Sequence, residues 1–286
     1  MKKTVILLMM LALFVGNSVT AVNCADGVTC KEEYDLTPSY SRFFSHITGN
    51  NFLAEKIAQS VIRKNIKKTV DGDINVKIKS YSARDMRAGR FKSFEVNGKN
   101  VQVEGVSISK FSLKTICDFN YIHIDKDWNM TVMDDVPMQF DIVITQDDLN
   151  KTMASQDYMR MLSDVNKLGG GIFSIESTNL KIKHNKIYYV MKIAVPFVRK
   201  TQDVVICTGL KVTDGEIEFA DAKILNKEYA LNVDKITKIL NYVNPLDFSV
   251  KILENKDAKL TIKNVSIEDN KISADGILLL LKENVK

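Results

Sequence analysis

The chain has few of the residues from which catalytic and metal centres are usually built. Its 286 residues include three histidines, four cysteines and one tryptophan. It contains no His-Glu-x-x-His pair, no Gly-x-Ser-x-Gly nucleophile turn and no Walker phosphate loop. The cysteines also lack the Cys-x-x-Cys spacing that is typical of structural zinc sites. These absences disfavour the common hydrolase, metalloenzyme and nucleotide-binding classes, and we expect no cofactor.

One weak candidate metal site consists of His123, Asp125 and Asp127. His123 and Asp125 would share a face of a strand. Two ligands do not complete a metal site, however, and the pattern places Asp127 in a turn. Carboxylates that are distant in sequence can still meet in the folded chain. A hydrolase assembled from dispersed acids and His123 therefore remains a third hypothesis, behind two non-enzymatic ones.

Long apolar runs are confined to the N terminus. Lys2 and Lys3 precede the run Val5–Val15, and Val19–Ala21 has the small-residue pattern of a cleavage site. This arrangement predicts a secretory signal peptide over residues 1–21. The run is too short for a spanning helix, which needs about 20 apolar residues. We therefore expect a secreted or periplasmic protein.

The mature chain is predicted to consist of an irregular leader, residues 22–48, and a single domain, residues 49–286. Lipidation of Cys24 is the rival to simple cleavage, but Asn23 is not the small residue that a lipoprotein signal requires. Lysines and acids are interspersed along the domain, without a basic block. That distribution disfavours nucleic-acid binding.

Export would place the four cysteines in an oxidising compartment, where disulfides form. Four cysteines allow three pairings. Cys24 and Cys30 are close together in a polar segment, and we predict that they close a small local loop. Cys117 and Cys207 both fall at strand-like positions and are interpreted as small buried apolar residues.

The segment Gly89–Ile116 has the clearest strand pattern in the chain. Apolar and polar residues alternate along it, and Asn97–Gly98 is a pair that readily forms a two-residue hairpin turn. We predict a strand on either side of this pair and a third strand after Glu104–Gly105. The alternation slips between Ile108 and Phe111, which would flip the buried face unless a bulge or short turn absorbs the slip.

This segment resembles the LmeA-like family of bacterial phospholipid-binding proteins, long carried as a domain of unknown function. The resemblance lies in Gly89–Phe91 and in the run VEGVSISKFSL, Val103–Leu113. It extends to Met138–Met153, where a strand leads into an acidic cap and a Leu-Asn pair that opens a helix. It covers Phe52–Leu281. It implies an envelope lipid-binding protein, related in shape to tubular lipid-binding domains, with no family catalytic residue to carry over.

A long amphipathic helix is predicted near the start of the domain, capped by Asn50 or Asn51 and running to about Val70. Leu53 and Ile57 belong to its apolar stripe, and lysines and arginines take the other face. The stripe favours a helix that lies on or inside a sheet. An interfacial membrane helix has the same pattern, so that alternative remains open.

Two further helices are predicted among recurrent hairpins. The first begins at Thr145, with Asp148 at capping-box spacing, and the second begins at Asn232 and stops at Asn244–Pro245. A final group of strands is expected from Phe248 onwards. Apolar and polar residues alternate along most of the predicted strands. This pattern favours antiparallel sheets with one solvent-exposed face. The predicted class is α+β: curved antiparallel sheets packed around the long N-terminal helix, with two further helices, in a tubular lipid-binding-like arrangement.

Abundant apolar surface without a catalytic centre suits an acyl chain, whose burial is worth about 0.8 kcal/mol per methylene. We predict a non-enzymatic phospholipid-binding protein, for envelope lipid transport or homeostasis, that touches membrane surfaces transiently. The candidate lipid-binding residues, all apolar, are Leu53, Ile57, Val61, Ile74, Val76, Ile78, Met153 and Met161. The same residues could instead fill an ordinary core, which would make the protein an envelope structural or interaction module.

Overall fold

A computed structural model describes residues 21–23, 28–124, 130–168, 174–194, 201–226, 241–251, 254 and 257–282. The strands are β1 Ala21–Asn23, β2 Thr29–Lys31, β3 Asp71–Ser80, β4 Arg90–Val103, β5 Val106–Thr115, β6 Asn120–Ile124, β7 Met130–Val132, β8 Val136–Thr145, β9 Ser174–Lys183, β10 Lys186–Ala194, β11 Gln202–Thr213, β12 Glu216–Ile224, β13 Ala258–Glu268 and β14 Lys271–Leu280. The helices are α1 Ser39–Ile47, α2 Asn50–Ile66, α3 Ala83–Arg87, α4 Gln146–Met153, α5 Gln156–Leu168 and α6 Pro245–Lys251.

Two antiparallel sheets form most of the described fold. The large sheet has the order β13-β14-β8-β5-β4-β6-β7, and β3 pairs with β4. The small sheet has the order β12-β11-β10-β9. Helix α4 contacts β5 of the large sheet and β9 of the small one, and α6 contacts β5 and β12. The predicted sheet-rich α+β class is confirmed, although the helices between the sheets are α4 and α6 rather than the long N-terminal helix.

The sequence predicts hairpin turns at His184–Lys186 and Thr213–Gly215, and both are present, with residues in the left-handed region. His184 and Asn185 have φ of 51° and 55° between β9 and β10. Asp214 and Gly215 have φ of 52° and 82° between β11 and β12. Asparagine, aspartate and glycine adopt such angles at low cost, so these two-residue turns could be located from sequence.

The turn predicted at Asn97–Gly98 is wrong. Both residues lie inside the continuous strand β4, and the hairpin turn falls at Glu104–Gly105, with φ of 43° and 78°. The predicted change of phase is present. Asn100 on β4 has a φ of 50°. The pairing of β4 with β5 keeps the same register on both sides of this residue. The change of phase is therefore absorbed within the paired strands, without a shift in their pairing.

The leader contains a helix, α1, which sequence reasoning read as irregular. Helix α2 follows Gly49, whose φ of 71° reverses the chain between the two helices, and α2 ends at Ile66. Asn51 does not cap α2 but joins it to the start of α3, since its side chain accepts a hydrogen bond from Ala83 N–H at 2.6 Å. The predicted start of α2 is confirmed, but the helix ends before the predicted Val70, and the predicted cap is wrong.

The predicted helix stop at Asn244–Pro245 is confirmed, since a helix ends at Tyr242, and Pro245 also begins a second helix. It is the first residue of α6, and Asn244 Oδ1 accepts a hydrogen bond from Leu246 N–H at 3.1 Å. Proline suits a first helical position because its missing N–H would have no partner there. The strand predicted from Phe248 is therefore wrong as far as Lys251. The predicted helix at Asn232 lies almost wholly outside the described residues.

The predicted Cys24–Cys30 disulfide is replaced by a bond between Cys30 and Cys117, whose Cα atoms are 5.5 Å apart. Cys24 lies outside the described residues. Tyr34 Oη donates a hydrogen bond to Asp134 at 2.6 Å, and Lys31 forms an ion pair with the same carboxylate. The leader is thus attached covalently and electrostatically to the large sheet. Cys207 is a free, half-buried thiol.

Side-chain amides from the helices close an edge of the small sheet. Asn150 on α4 donates to the carbonyl of Leu180 at 2.9 Å and accepts from its N–H at 2.8 Å. Asn166 on α5 pairs in the same way with Ile175, at 3.0 and 2.8 Å. An unpaired strand edge is a template for association with other chains, so these amides protect β9 from such pairing.

Candidate lipid-binding surface

Exposed apolar residues concentrate on α1 and α2. Ten large apolar side chains are exposed in the described part of the chain, and six of them belong to these two helices. The six are Tyr40, Phe43, Ile47, Phe52, Leu53 and Ile57. Isolated exposed apolar residues are normal on a protein surface, whereas a concentration on one pair of consecutive helices points to an interaction site.

Helix α2 is joined to the sheet by polar groups as well as by Ala58, Ile62 and Ile66, which pack on the core. Glu55 accepts hydrogen bonds from the N–H and hydroxyl of Ser80 at 2.8 and 3.1 Å. Gln59 donates to the carbonyl of Ile78 at 3.4 Å, and Arg63 donates to Asn75 at 2.8 Å. The spacing of four residues puts Glu55, Gln59 and Arg63 on one face. That face lies along the open edge of β3.

The opposite face of α2 is apolar in its first half and cationic in its second. Leu53 and Ile57 are 60% and 57% exposed. Lys64 continues the same face at helical spacing and is exposed, and the exposed Lys68 lies in the turn that follows α2. Lys56 Nζ lies 5.5 Å from the ring centroid of Phe52, so a cation and an aromatic ring are neighbours as well.

The charge of the two helices and the residues that follow α2 is strongly one-sided. Residues 39–68 contain six lysines and arginines and one acid, which leaves a net charge equal to the +5 of the whole chain. The one acid, Glu55, faces β3 and accepts hydrogen bonds from Ser80. The outward surface of α2 therefore carries cations without a compensating carboxylate of its own.

The predicted lipid-binding residues fall into two groups. Ile74, Val76, Ile78 and Met153 are buried in the core, and Met161 packs against it. Leu53 and Ile57 are exposed, and Val61 is half-buried. The expectation that Leu53 and Ile57 point inward is wrong. The cause is the orientation of α2, which places Glu55 and Gln59 along the edge of β3 and Ala58, Ile62 and Ile66 on the core, so that Leu53 and Ile57 face outward.

Sequence reasoning missed the contribution of α1. The signal was present, because Tyr40, Phe43 and Ile47 recur at intervals of three and four residues. The short length of the pattern and the nearby Pro38 favoured an irregular leader instead. In the structure Pro38 precedes the helix, and its carbonyl accepts hydrogen bonds from the N–H groups of Ser41 and Arg42.

Within the described ranges, no group of three or more histidine, cysteine or acidic side chains could hold a metal. His123 is exposed on the short strand β6. Asp125 and Asp127 lie outside those ranges. The predicted capping box is confirmed: Thr145 Oγ1 accepts from Asp148 N–H at 3.2 Å, and Asp148 accepts from Thr145 N–H at 2.9 Å. That carboxylate therefore has a structural role.

A buried tyrosine pair lies between α5 and the small sheet. Tyr158 Oη donates to the carbonyl of Val243 at 2.6 Å, and the two hydroxyls of Tyr158 and Tyr189 are 2.8 Å apart. Burial raises the pKa of Tyr158 well above its usual range, and burial raises the pKa of Tyr189 to about 12. Both phenols therefore stay neutral at physiological pH and hold α5 against the sheet.

None of the described helices is long and apolar enough to cross a membrane. The described part of the chain thus combines a sheet-rich α+β fold, an exposed apolar and cationic pair of helices, and no clustered metal ligands. This combination describes a binding protein of the antiparallel α+β class.

The family model of LmeA-like phospholipid-binding proteins matches residues 49–277. The match covers most of the chain and includes α2 to α6, the small sheet, and the large sheet except for the end of β14. The chain belongs to the LmeA-like phospholipid-binding family. Neither the curated proteins nor the solved structures contain a match to this chain.

Proposed function

We propose that this chain is a non-enzymatic phospholipid-binding protein that acts in a secreted or periplasmic setting. Its membership of a phospholipid-binding family over residues 49–277 carries the proposal. The bond between Cys30 and Cys117 supports the location, because disulfides persist in oxidising compartments. The predicted signal peptide over residues 1–21 supports it independently.

The acyl chains are proposed to lie against the apolar face of β3 and β4, at the side of α2. Ile74, Val76 and Ile78 alternate along β3 and are buried in the core together with Val96 of β4. Such a face meets the need of an acyl chain, which requires apolar lining and few directed contacts. Selectivity for the phospholipid headgroup should accordingly be weak.

Helix α2 is proposed to be the movable cover of this face. Asn51 and Ile66 are its only fully buried residues. Ala58 and Ile62 are partly buried against the core, and Glu55, Gln59 and Arg63 form hydrogen bonds to β3. Segments with few buried apolar contacts open at a lower free energy than the core does. Outward movement of α2 would uncover the apolar face without breaking strand pairing.

The decisive test is extraction of the folded, purified protein with organic solvent, followed by mass spectrometry of the lipid. Phospholipid should co-purify, or should be taken up from vesicles by protein that has been stripped of lipid. Val76→Phe adds bulk to the face beside α2 and should reduce the amount of bound lipid. Val190→Phe makes the same substitution at a half-buried position on β10, away from α2, and is the control for position.

Circular dichroism and thermal unfolding must show that both variants remain folded. If the wild-type protein is folded but neither carries nor takes up phospholipid, the alternative of an envelope interaction module with a filled core is favoured. If Val190→Phe reduces bound lipid as much as Val76→Phe does, the proposed position of the acyl chain is wrong.

A further inference from the structure

We propose that the outward surface of α1 and α2 docks on membranes that contain anionic phospholipid. The inference rests on the proposed phospholipid-binding function and adds the surface through which the protein meets its lipid source. The docking surface is defined by Tyr40, Ile47, Phe52, Leu53 and Ile57 together with Lys56, Lys64 and Lys68.

The apolar part of this surface is suited to shallow insertion between lipid headgroups. Phe52, Leu53 and Ile57 are all more than half exposed, and they occupy the first two turns of α2. Tyr40 and Ile47 on α1 are 70% and 66% exposed. An interfacial helix needs only an apolar face of this size that enters the boundary between headgroups and acyl chains.

The cationic part selects anionic membranes. Lys64 follows Leu53 and Ile57 on the outward face of α2, and the exposed Lys68 lies in the turn after the helix, so exposed apolar and cationic groups follow one another along this segment. Each lysine near an anionic membrane is worth about 1 kcal/mol. The net charge of +5 on residues 39–68 therefore complements a surface of acidic headgroups. A zwitterionic membrane offers no such complement.

The same charge argues against a second copy of this chain as the occupant. A symmetric dimer places the same surface patch of each subunit against the other. The lysines at residues 56, 64, 67 and 68 of both copies would then be brought together. Like charges in contact oppose association, so a homodimer through this surface would separate at low salt.

The position of α2 connects docking with the release of lipid from the bilayer. Its membrane face, with Leu53 and Ile57, is opposite the face on which Glu55 and Gln59 bond to β3. Insertion of Leu53 and Ile57 into the membrane would therefore favour outward movement of α2, the helix that covers the proposed acyl site. The order of the elements from the bilayer inward would be membrane, α2, then the apolar sheet face.

Vesicle sedimentation tests the proposal. The purified protein is mixed with vesicles of phosphatidylcholine alone, and with vesicles that also contain phosphatidylglycerol. The pelleted fraction should be larger with phosphatidylglycerol and should fall as salt is added, because salt screens exposed charges. The N terminus of the protein is sequenced first, so that an uncleaved apolar segment is not mistaken for the docking surface.

Paired variants separate the two parts of the surface. Leu53→Gln with Ile57→Gln should weaken binding at least about tenfold, because two apolar side chains no longer leave water. Leu225→Gln removes an exposed leucine elsewhere and should have no effect. Lys64→Gln and Lys68→Gln should each weaken binding to anionic vesicles about fivefold. Lys181→Gln and Lys183→Gln change the net charge equally at exposed positions on β9 and serve as controls.

Three results would overturn the proposal. The first is equal sedimentation with both kinds of vesicle. The second is equal weakening by the test and control variants. The third is a stable dimer, measured by analytical ultracentrifugation, that Leu53→Gln with Ile57→Gln dissociates. Lipid extraction on the same samples keeps the two proposals apart: bound phospholipid without sedimentation refutes docking alone, and sedimentation without bound phospholipid refutes the cargo function alone.

Discussion

The ring of Phe111 on β5 lies against the backbone of Gly98, its cross-strand partner on β4. A Cβ added to Gly98 would overlap this ring and would come within 2.7 Å of Val101 Cγ2. Gly98 has no positive φ among the backbone angles of the fold. The position therefore requires glycine for space under an aromatic ring, and not for the geometry of a turn.

Gly98→Ala should lower the free energy of unfolding by about 1–3 kcal/mol, because the added methyl displaces the ring within a packed sheet. In a Phe111→Leu background the same substitution should cost less, since the overlapping ring is absent. Urea unfolding of the four proteins of this cycle measures the coupling. Gly209→Ala, whose Cβ would have its nearest contact at 3.5 Å, is the control. An equal cost in both backgrounds would contradict this packing.

Asn150→Ala should destabilise the protein by about 1–3 kcal/mol, because the N–H and carbonyl of Leu180 lose their partners at a buried strand edge. Hydrogen exchange of the Leu180 amide should accelerate along with the loss of stability. Asn264→Ala, at an exposed pair with Asp275, should change stability by less than about 0.5 kcal/mol. If the exchange rate of the Leu180 amide is the same in Asn150→Ala as in the wild type, the proposed hydrogen bonds between Asn150 and Leu180 are refuted.

Removing the disulfide by Cys30→Ser should lower stability by about 4 kcal/mol in the chain-entropy account, since the bond closes a long loop. The two cysteines are separated by 87 residues. Denaturant unfolding with and without reductant measures the loss, and Cys207→Ser is the control that leaves the bond intact. Peptide mapping of the unreduced protein should recover Cys30 linked to Cys117. Recovery of Cys30 linked to Cys24 would contradict the structure.

The pKa of Asp141 on β8 is raised by burial and by the neighbouring Asp275, against a lowering effect of Lys110. Ionisation of this carboxyl therefore costs the folded state more than the unfolded chain. The protonated carboxyl therefore contributes to the stability of the folded state. This contribution is fully present below pH 3.8, the ordinary pKa of the group, and is lost as the pH rises through the raised pKa of Asp141.

Asp141→Asn should accordingly stabilise the protein at neutral pH, by on the order of 0.5 kcal/mol because the site is largely exposed to solvent. The gain should disappear below pH 3.8. Urea midpoints at neutral and acidic pH test the sign. Asp269→Asn, in the exposed turn before β14, is the control. A gain that persists unchanged at acidic pH would rule out this account.

Local sequence determined the hairpins and the helix starts that depend on backbone angles or on capping. The turns at His184–Asn185 and Asp214–Gly215 were predictable because few residue types adopt positive φ at low cost. The capping box of Thr145 and Asp148 was predictable because both partners lie within one helical turn. These features depend on residues that are neighbours in the chain.

Long-range packing decided the features that local patterns misjudged. Gly98 looked like part of a turn, but its partner is a ring on another strand. Pro245 was correctly read as following a helix stop, but only the bond between Asn244 and Leu246 shows that a second helix begins there. In each case the same residue type suits two local structures, and a distant or flanking contact chooses between them.

The candidate site divides in the same way. The sequence by itself determined the family, the alternating strands and the amphipathic character of α2, because these depend on residue order alone. It could not determine that Cys30 pairs with Cys117, since pairing depends on which chain segments meet in space. Nor could it determine which face of α2 is outward. The tertiary structure decided this, because Glu55 and Gln59 satisfy the open edge of β3 and thereby leave Leu53 and Ile57 exposed to water.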